Sequence, residues 1–257
     1  MKHFQDISDA LEKGMLRACE TMYRFCGKTE IPLNAEYLLT ISLASAIEDI
    51  NLQVTDPYEI RLEFSSKKFE RDCQPLIGKN SDFGVVMRKL RSKSIKHCVK
   101  RSGRVDIAVY DHSAESILPI PLCPIEVKGF NPSRKLAIQD LERNLQFHET
   151  QGPTGNSILE FSFFSAIHSR SPTSFATNLA DVLTLYKGWA AQLGTLQTVD
   201  AYIRVFTVTS DLNGRLLEER YETVWDGSSL HHFVGVIVAF VRKGFEQKIP
   251  VEFVRLI

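Results

Sequence analysis

Three charged residues lie within two otherwise apolar strands of this sequence, in the stretch GRVDIAVYDHSAESILPIPLCPIEVKGF from Gly103 to Phe130. Asp106 lies at the start of the first strand, and Glu126 and Lys128 flank Val127 near the end of the second. Because side chains alternate along a strand, Glu126 and Lys128 project to one face and Val127 to the other. Two carboxylates and an amine on one face suit the binding of a divalent cation and the hydrolysis of a phosphodiester.

The register of the two strands follows from the turn between them. If Asp106 faces Glu126 in an antiparallel hairpin of residues 104–111 and 120–128, the centre of the turn falls at residue 116. That position lies within HSAES, the most polar part of the connection. We therefore expect the two carboxylates to face each other, and a hard cation such as Mg²⁺ would relieve their repulsion. Lys128 would orient a water or neutralise charge in the transition state.

The alternative is that these three residues form a solvent-exposed face of a half-buried sheet, with Lys and Glu paired across strands. Predicted helices flank the strands on both sides in sequence, however, which leaves little of the sheet exposed. We therefore favour the site.

Hydrophobic periodicity predicts the elements that position these residues. Helices are expected over 5–27, 35–50, 132–150 and about 174–193, and strands over 59–65, 158–167 and 201–209. Residues 67–101 are polar and expected to be largely helical. Residues 231–245 fit either a buried helix or a pair of strands, and 249–257 alternate as in an edge strand. This order predicts an α/β sandwich around a mixed sheet.

Composition sets broad limits on the class of protein. The 257 residues are 44% hydrophobic and 24% charged, with a net charge of +0, so any attraction to nucleic acid must be local. Five scattered cysteines without a CxxC pair indicate buried thiols in a reducing compartment. The longest apolar run, Phe233–Val241, is half of a membrane span, and no Gly-rich phosphate loop occurs. We expect a soluble cytoplasmic protein that uses no nucleoside triphosphate and contacts no membrane.

The sequence VD, followed after nineteen residues by EVK, resembles the signature of the PD-(D/E)xK, or restriction-endonuclease-like, nuclease superfamily. The element order from residue 34 to about 166 is also similar to that superfamily's core of helix, three strands, helix and strand. Val105 is a departure, since many members have proline there. The resemblance implies an α-β-α sandwich around a central mixed sheet, in one domain over 31–257 with its core at about 34–166. Residues 1–30 would be a helical extension, and about 170–257 additions that select substrate or mediate homodimer formation.

The resemblance also implies the roles of the site residues. Asp106 and Glu126 would be metal ligands, Val127 would offer its backbone carbonyl, and Lys128 would be the catalytic lysine. The cofactor would be Mg²⁺, with Mn²⁺ as a substitute.

Family members often add a glutamate near the start of the first core helix, and Glu36 fits because it shares a face with the apolar stripe. Glu48, the rival, points away from that stripe, and the alternative for Glu36 is a carboxylate favoured by the helix N-terminus. Gln139 resembles a glutamine that some subfamilies use, but we favour a solvent-facing role for it.

A basic stretch precedes the strand of Asp106 directly. The sequence RKLRSKSIKHCVKRSGR contains eight basic residues and no acidic one: Arg88, Lys89, Arg91, Lys93, Lys96, Lys100, Arg101 and Arg104. A solvated basic helix is the alternative, but the position beside the proposed site favours binding of a phosphate backbone.

These features together predict a Mg²⁺-dependent nuclease that acts on DNA, with a role in restriction, phage defence or repair. Two alternatives stay open. One is an RNA nuclease on the same core, and the other is a catalytically silent subunit that binds nucleic acid or mediates assembly.

Overall fold

The computed structural model describes residues 2–26, 36–53, 56–79, 88–90, 99–100, 103–112, 119–170, 175–194, 196–208, 232–245 and 249–256. Within these ranges there are five helices: α1 Lys2–Cys26, α2 Glu36–Asn51, α3 Ser66–Asp72, α4 Arg134–Glu149 and α5 Phe175–Ala190. The long strands are β1 Tyr58–Ser65, β4 Arg104–Asp111, β5 Ile120–Phe130, β8 Phe161–Arg170, β9 Val199–Thr207 and β10 His232–Arg242. The short ones are β2 Ile77–Lys79, β3 Arg88–Leu90, β6 Gln151–Gly152, β7 Gly155–Asn156 and β11 Val254–Arg255.

Seven strands form one mixed sheet in the order β1-β4-β5-β8-β10-β9-β11. Strands β5 and β8 are parallel, and the other neighbouring pairs are antiparallel. The parallel pair requires a crossover, which α4 supplies between β5 and β8. The candidate residues on β5 therefore lie in the interior of the sheet, away from its edges at β1 and β11.

Helices cover both faces of this sheet. Helices α1 and α2 pack on one face, where Ile125 and Val127 of β5 contribute to their core. Helices α4 and α5 pack on the other face, against side chains such as Phe164 and Ala166 of β8. Because side chains alternate along β5, Glu126 and Lys128 point toward the layer that contains α4.

Helices α1 and α2 approach each other closely at Gly14. A Cβ atom at this position would lie 2.7 Å from Leu43 Cα and 2.9 Å from the backbone oxygen of Ser42. Such distances are below van der Waals contact, so only glycine allows the two backbones to pack at this separation.

Most of the predicted elements are confirmed, with ends shifted by a few residues. The prediction of helix for 67–101 is confirmed up to Asp72, where α3 ends, and is wrong at the strands β2 and β3 that follow. The ambiguous segment 231–245 contains a single long strand, β10, which lies between β8 and β9. Residues 249–257 contribute the two-residue edge strand β11. In the described part of the chain, no helix is long and apolar enough to cross a membrane.

His148, on the buried face of α4, makes folding stability depend on pH. Its Nε2 lies 3.0 Å from Ser162 Oγ. Burial lowers the pKa of His148 to about 3, and the positive charge of Arg242 acts in the same direction. An unfolded histidine has a pKa of about 6.5, so between these values the unfolded state binds a proton that the folded state does not. Stability therefore falls as the pH falls below about 6.5.

The His148→Gln variant keeps a donor for Ser162 but lacks the titrating imidazole. Between pH 6 and pH 4 we expect its free energy of unfolding to fall less steeply than that of the wild type, by about 1 kcal/mol per pH unit. Urea unfolding at several pH values measures this difference. Burial also lowers the pKa of His168, to about 4, but His168 is present in both proteins and therefore does not contribute to the difference between them. Parallel stability curves for the two proteins would show that His148 is not the cause.

Candidate active site at strands β4 and β5

Strands β4 and β5 pair in the register that the turn sequence predicts. The paired residues near the site keep one constant offset: Ile107–Ile125, Ala108–Pro124 and Val109–Cys123. Continuing that offset by one residue places Asp106 across from Glu126. A bulge between Val109 and Tyr110 shifts the register only on the side of the turn.

Asp106 is held by the backbone of the neighbouring strand. Its Oδ2 accepts a hydrogen bond from the Val127 N–H, with an N–O distance of 2.6 Å. On its other side, the β1–β4 register places it opposite Glu63, whose φ of 48° is left-handed and uncommon in a strand. Burial raises the pKa of Asp106 to about 6, although the Val127 N–H and the charge of Lys128 act in the opposite direction. The carboxyl group is thus fixed in orientation, with its negative charge incompletely compensated.

Glu126 is fully buried beneath α4. Its Oε2 accepts a hydrogen bond from Arg143 Nη2, and the same nitrogen lies 3.1 Å from Asp140 Oδ1. Its Oε1 has no hydrogen-bond partner among the described residues. Burial raises the pKa of Glu126 well above its ordinary value, and the charge of Arg143 offsets this only in part. Because a buried carboxylate oxygen without a partner is costly, Oε1 is a natural position for a further ligand.

Lys128 is 13% exposed and contacts both helical layers. Its Nζ lies 3.1 Å from Glu36 Oε1 on α2 and 3.1 Å from Asp140 Oδ2 on α4. It also donates to the Val127 carbonyl at 3.0 Å. Burial lowers the pKa of Lys128, but the negative charge of Asp140 and of the other nearby carboxylates outweighs burial and raises it. Lys128 is therefore a positively charged group among several acids.

The first residue of α2 reaches this cluster, and a later acid of the same helix does not. Glu36 is half exposed, and its carboxylate contacts Lys128. Glu48 lies near the other end of α2, where its Oε2 accepts a hydrogen bond from Asn51. Of the two glutamates considered from the sequence, Glu36 is the one that lies at the site.

Two members of the cluster, Asp140 and Arg143 on α4, were not predicted from the sequence. Both are buried, at 1% and 6% exposure, and they contact each other as well as the strand residues. They lie on the helix face that carries the buried Ala137, Leu141 and Asn144. Charged residues on the apolar face of a helix were the signal that could have identified them.

Gln139, the residue considered on this helix, is partly buried and lines a groove of about 550 Å³ beside α4. Lys100, Arg143 and Gln146 line the same groove. The solvent-facing role that we favoured for Gln139 therefore stays a prediction.

Only part of the basic stretch lies within the described residues. Lys100 is exposed, and its backbone N–H donates to Gln146 Oε1 at 3.0 Å. Arg104 is exposed, with Nη1 3.9 Å from Glu63 Oε2. Arg88 and Lys89 belong to β3, so this portion is not the solvated helix that was considered. Arg91, Lys93, Lys96 and Arg101 lie outside the described residues.

The donor set fits a hard divalent cation in charge and chemistry. In the part of the chain that the structure describes, no three His, Cys, Asp or Glu side chains converge as a metal-binding group. The contacts above nevertheless join the carboxyl groups of Glu36, Glu126 and Asp140 to the cationic side chains of Lys128 and Arg143, and the Val127 N–H holds a fourth carboxyl group, that of Asp106, beside them. When all are ionised, this leaves two negative charges, which equals the charge of one divalent cation. Oxygen donors and the partnerless Oε1 of Glu126 suit Mg²⁺ or Mn²⁺.

No family model, no curated protein and no solved structure matches this chain.

Proposed function

We propose that the chain is a Mg²⁺-dependent nuclease of the PD-(D/E)xK type that cleaves DNA. The observation that carries this proposal is that Asp106, Glu126 and Lys128 lie together on neighbouring interior strands, with the half-exposed Glu36 of α2 in contact with Lys128. Acids and a lysine are rarely buried in a sheet interior without a function, because each charge loses its hydration. Elements as distant in sequence as α2, β4 and β5 contribute to this one cluster.

The arrangement of the elements supports a restriction-endonuclease-like fold. Helix α2, strands β1, β4 and β5, helix α4 and strand β8 follow one another in the order of that superfamily's core. The short elements α3, β2, β3, β6 and β7 are inserted between them. We propose that residues of α1 and those after about 170 are additions to this core.

The residues divide into those that would hold the ion and those that would act beside it. Asp106, Glu126, Glu36 and the carbonyl of Val127 would hold Mg²⁺, with Mn²⁺ as a substitute. When bound, the ion stabilises charge on the phosphodiester and makes a bound water more acidic. Asp106 is already oriented for this role by the Val127 N–H.

Lys128 would act on the substrate directly. Its ammonium group is charged and lies between acids on two helices, so its position is well defined. We propose that it orients the attacking water and stabilises the negative charge that develops on the phosphate oxygens. Glu36, 3.1 Å from its Nζ, holds the ammonium group in place.

The substrate class follows from the basic residues near the cluster. Lys100 and Arg104 are exposed and belong to the basic stretch that leads into β4. We propose that this stretch binds the phosphate backbone of DNA, and that the protein works in the cytoplasm in restriction, phage defence or repair. RNA is the alternative substrate.

Incubation of plasmid DNA, linear duplex DNA and RNA with the purified protein tests the function. We expect cleavage of DNA with Mg²⁺ or Mn²⁺ and none with EDTA. The Asp106→Asn variant, purified in the same way, excludes a contaminating nuclease. Protein that binds DNA but cleaves neither nucleic acid with either ion would instead support the catalytically silent binding subunit.

The two glutamates of α2 offer a matched pair of variants. Glu36→Gln removes the charge next to Lys128, so we expect kcat/KM for cleavage to fall by about 10-fold or more. Glu48→Gln changes an acid that contacts Asn51 instead, so its kcat/KM should stay within about twofold of the wild type. Equal activity of the two variants, or the reverse order, would remove Glu36 from the site.

A further inference from the structure

Arg143 occupies a position where the site needs a cation. Its side chain is 6% exposed, and its Nη2 contacts both Glu126 and Asp140, which are 0% and 1% exposed. Two buried carboxylates so close together repel each other strongly unless a positive charge lies between them. In the structure, the guanidinium group provides that charge.

The hydrogen bonds between the Arg143 guanidinium group and the two carboxylates are incomplete. A guanidinium has five N–H donors in a planar fork and binds a carboxylate best through two parallel hydrogen bonds. Here one nitrogen serves two carboxylates, while Arg143 Nε and Glu126 Oε1 are buried without hydrogen-bond partners among the described residues. A buried polar network that is only partly satisfied is less stable than one that is complete. The space between the two carboxylates therefore suits the positive charge of the arginine, but the arrangement of hydrogen-bonding groups there does not match the shape of its guanidinium group.

The arginine side chain also borders an open space. Arg143 lines the groove of about 550 Å³ beside α4, together with the polar side chains of Gln139 and Gln146. Rotation about its flexible side-chain bonds can carry the guanidinium group from the carboxylates into this groove.

We propose that Arg143 takes the place of the divalent cation between Glu126 and Asp140 in the metal-free protein, and that cation binding displaces it into the groove beside α4. Asp140 then becomes a ligand of the ion together with Glu126. The inference rests on the proposed nuclease function for the identity of the ion, but its test measures binding of the ion and does not depend on cleavage.

Titration of metal-free protein with Mn²⁺, followed by calorimetry or by the electron paramagnetic resonance of free Mn²⁺, tests the displacement. The Arg143→Gln variant lacks the competing charge, so it should bind Mn²⁺ about tenfold more tightly than the wild type. Asp140→Asn removes a ligand and should bind Mn²⁺ about tenfold more weakly. Arg134→Gln and Lys135→Gln, at exposed positions of the same helix, are the matched controls and should bind like the wild type.

Thermal unfolding gives a second readout. Without a divalent cation, Arg143→Gln leaves Glu126 and Asp140 without their shared cation and should melt at a lower temperature than the wild type. Saturating Mn²⁺ should raise its melting temperature by more than it raises that of the wild type, because the ion replaces the missing charge.

Mn²⁺ affinity in Arg143→Gln that is equal to or weaker than that of the wild type would overturn the proposal. If that variant does not fold, Arg143→Lys is titrated instead, and its shorter side chain should give tighter Mn²⁺ binding than arginine does. Tighter binding by the variant, in a protein whose wild type cleaves no nucleic acid, would support the displacement and refute the nuclease. Cleavage by the wild type, together with unchanged Mn²⁺ affinity in the variant, would support the nuclease and refute the displacement.

Discussion

Replacing Lys128 with Ala is expected to lower Mg²⁺-dependent cleavage of DNA by about 10²- to 10³-fold. The ammonium group is needed most when negative charge develops on the reacting phosphate, so its loss affects the transition state more than the bound substrate. DNA affinity should therefore change by less than about threefold. Cleavage rates at saturating DNA and an equilibrium binding titration measure the two effects separately.

Lys135→Ala is the matched control for this experiment. Lys135 is exposed on the first turn of α4, and the same change of charge and size there should leave cleavage unchanged. A Lys128→Ala variant that is folded and cleaves DNA at the wild-type rate would remove Lys128 from the catalytic role.

Substitutions in the basic stretch should affect DNA binding more than the cleavage step. Replacing Arg88, Arg91 and Lys96 together with Ala should weaken DNA binding for all sequences and lower the slope of log affinity against log salt by about 3, because fewer counterions are released. If the chain is a catalytically silent binding subunit, these substitutions would still weaken DNA binding, but there would be no cleavage for Lys128→Ala to lower. An unchanged salt slope would exclude the stretch from the DNA-binding surface.

Gly14→Ala is expected to lower the free energy of unfolding by roughly 3 kcal/mol and the melting temperature by roughly 6–12 °C. The added Cβ would lie 2.7 Å from Leu43 Cα, which belongs to the backbone of α2 and cannot rotate away. Helices α1 and α2 would have to separate, which opens the core that they share with the sheet. Chemical denaturation of the purified variant measures the loss.

Gly188→Ala is the control: the substitution is the same, but it is expected to raise the free energy of unfolding instead of lowering it. Gly188 lies within α5, and a Cβ there would meet nothing within 4 Å. Alanine is the better helix former by about 1 kcal/mol, so this variant should be slightly more stable than the wild type. Equal effects at the two glycines would show that helix propensity and not the close approach of α1 and α2 decides the result.

The register of β4 and β5 was accessible from the sequence because it depends on local features. Alternation places residues on faces, and the polar HSAES segment predicts where the connection between the strands lies. The bulge between Val109 and Tyr110 was not predicted, although Pro121, which pairs with Tyr110, is a local marker of such an irregularity. The paired residues next to the site, from Ile107–Ile125 to Val109–Cys123, keep the predicted offset.

The contribution of α4 was missed for a different reason. The position of Asp140 and Arg143 on the apolar face of α4 marks them as unusual, but only the packing of that face over β5 shows that they meet Glu126 and Lys128. Packing of one element on another is not encoded in local periodicity, which also explains why α3 and β2 were not separated within 67–101. Segment 231–245 fits either a buried helix or a pair of strands in composition, and its pairing with both β8 and β9 makes it a single strand.

Lys128 connects α2 and α4, which lie on opposite faces of the sheet, through one ammonium group. A ligand that draws Asp140 away changes the electrostatic potential that Glu36 experiences at the start of α2. The acids of two helices on opposite faces of the sheet thus share one positive charge. A change of charge at Glu36 is therefore expected to change the electrostatic potential at Asp140, and a change at Asp140 the potential at Glu36.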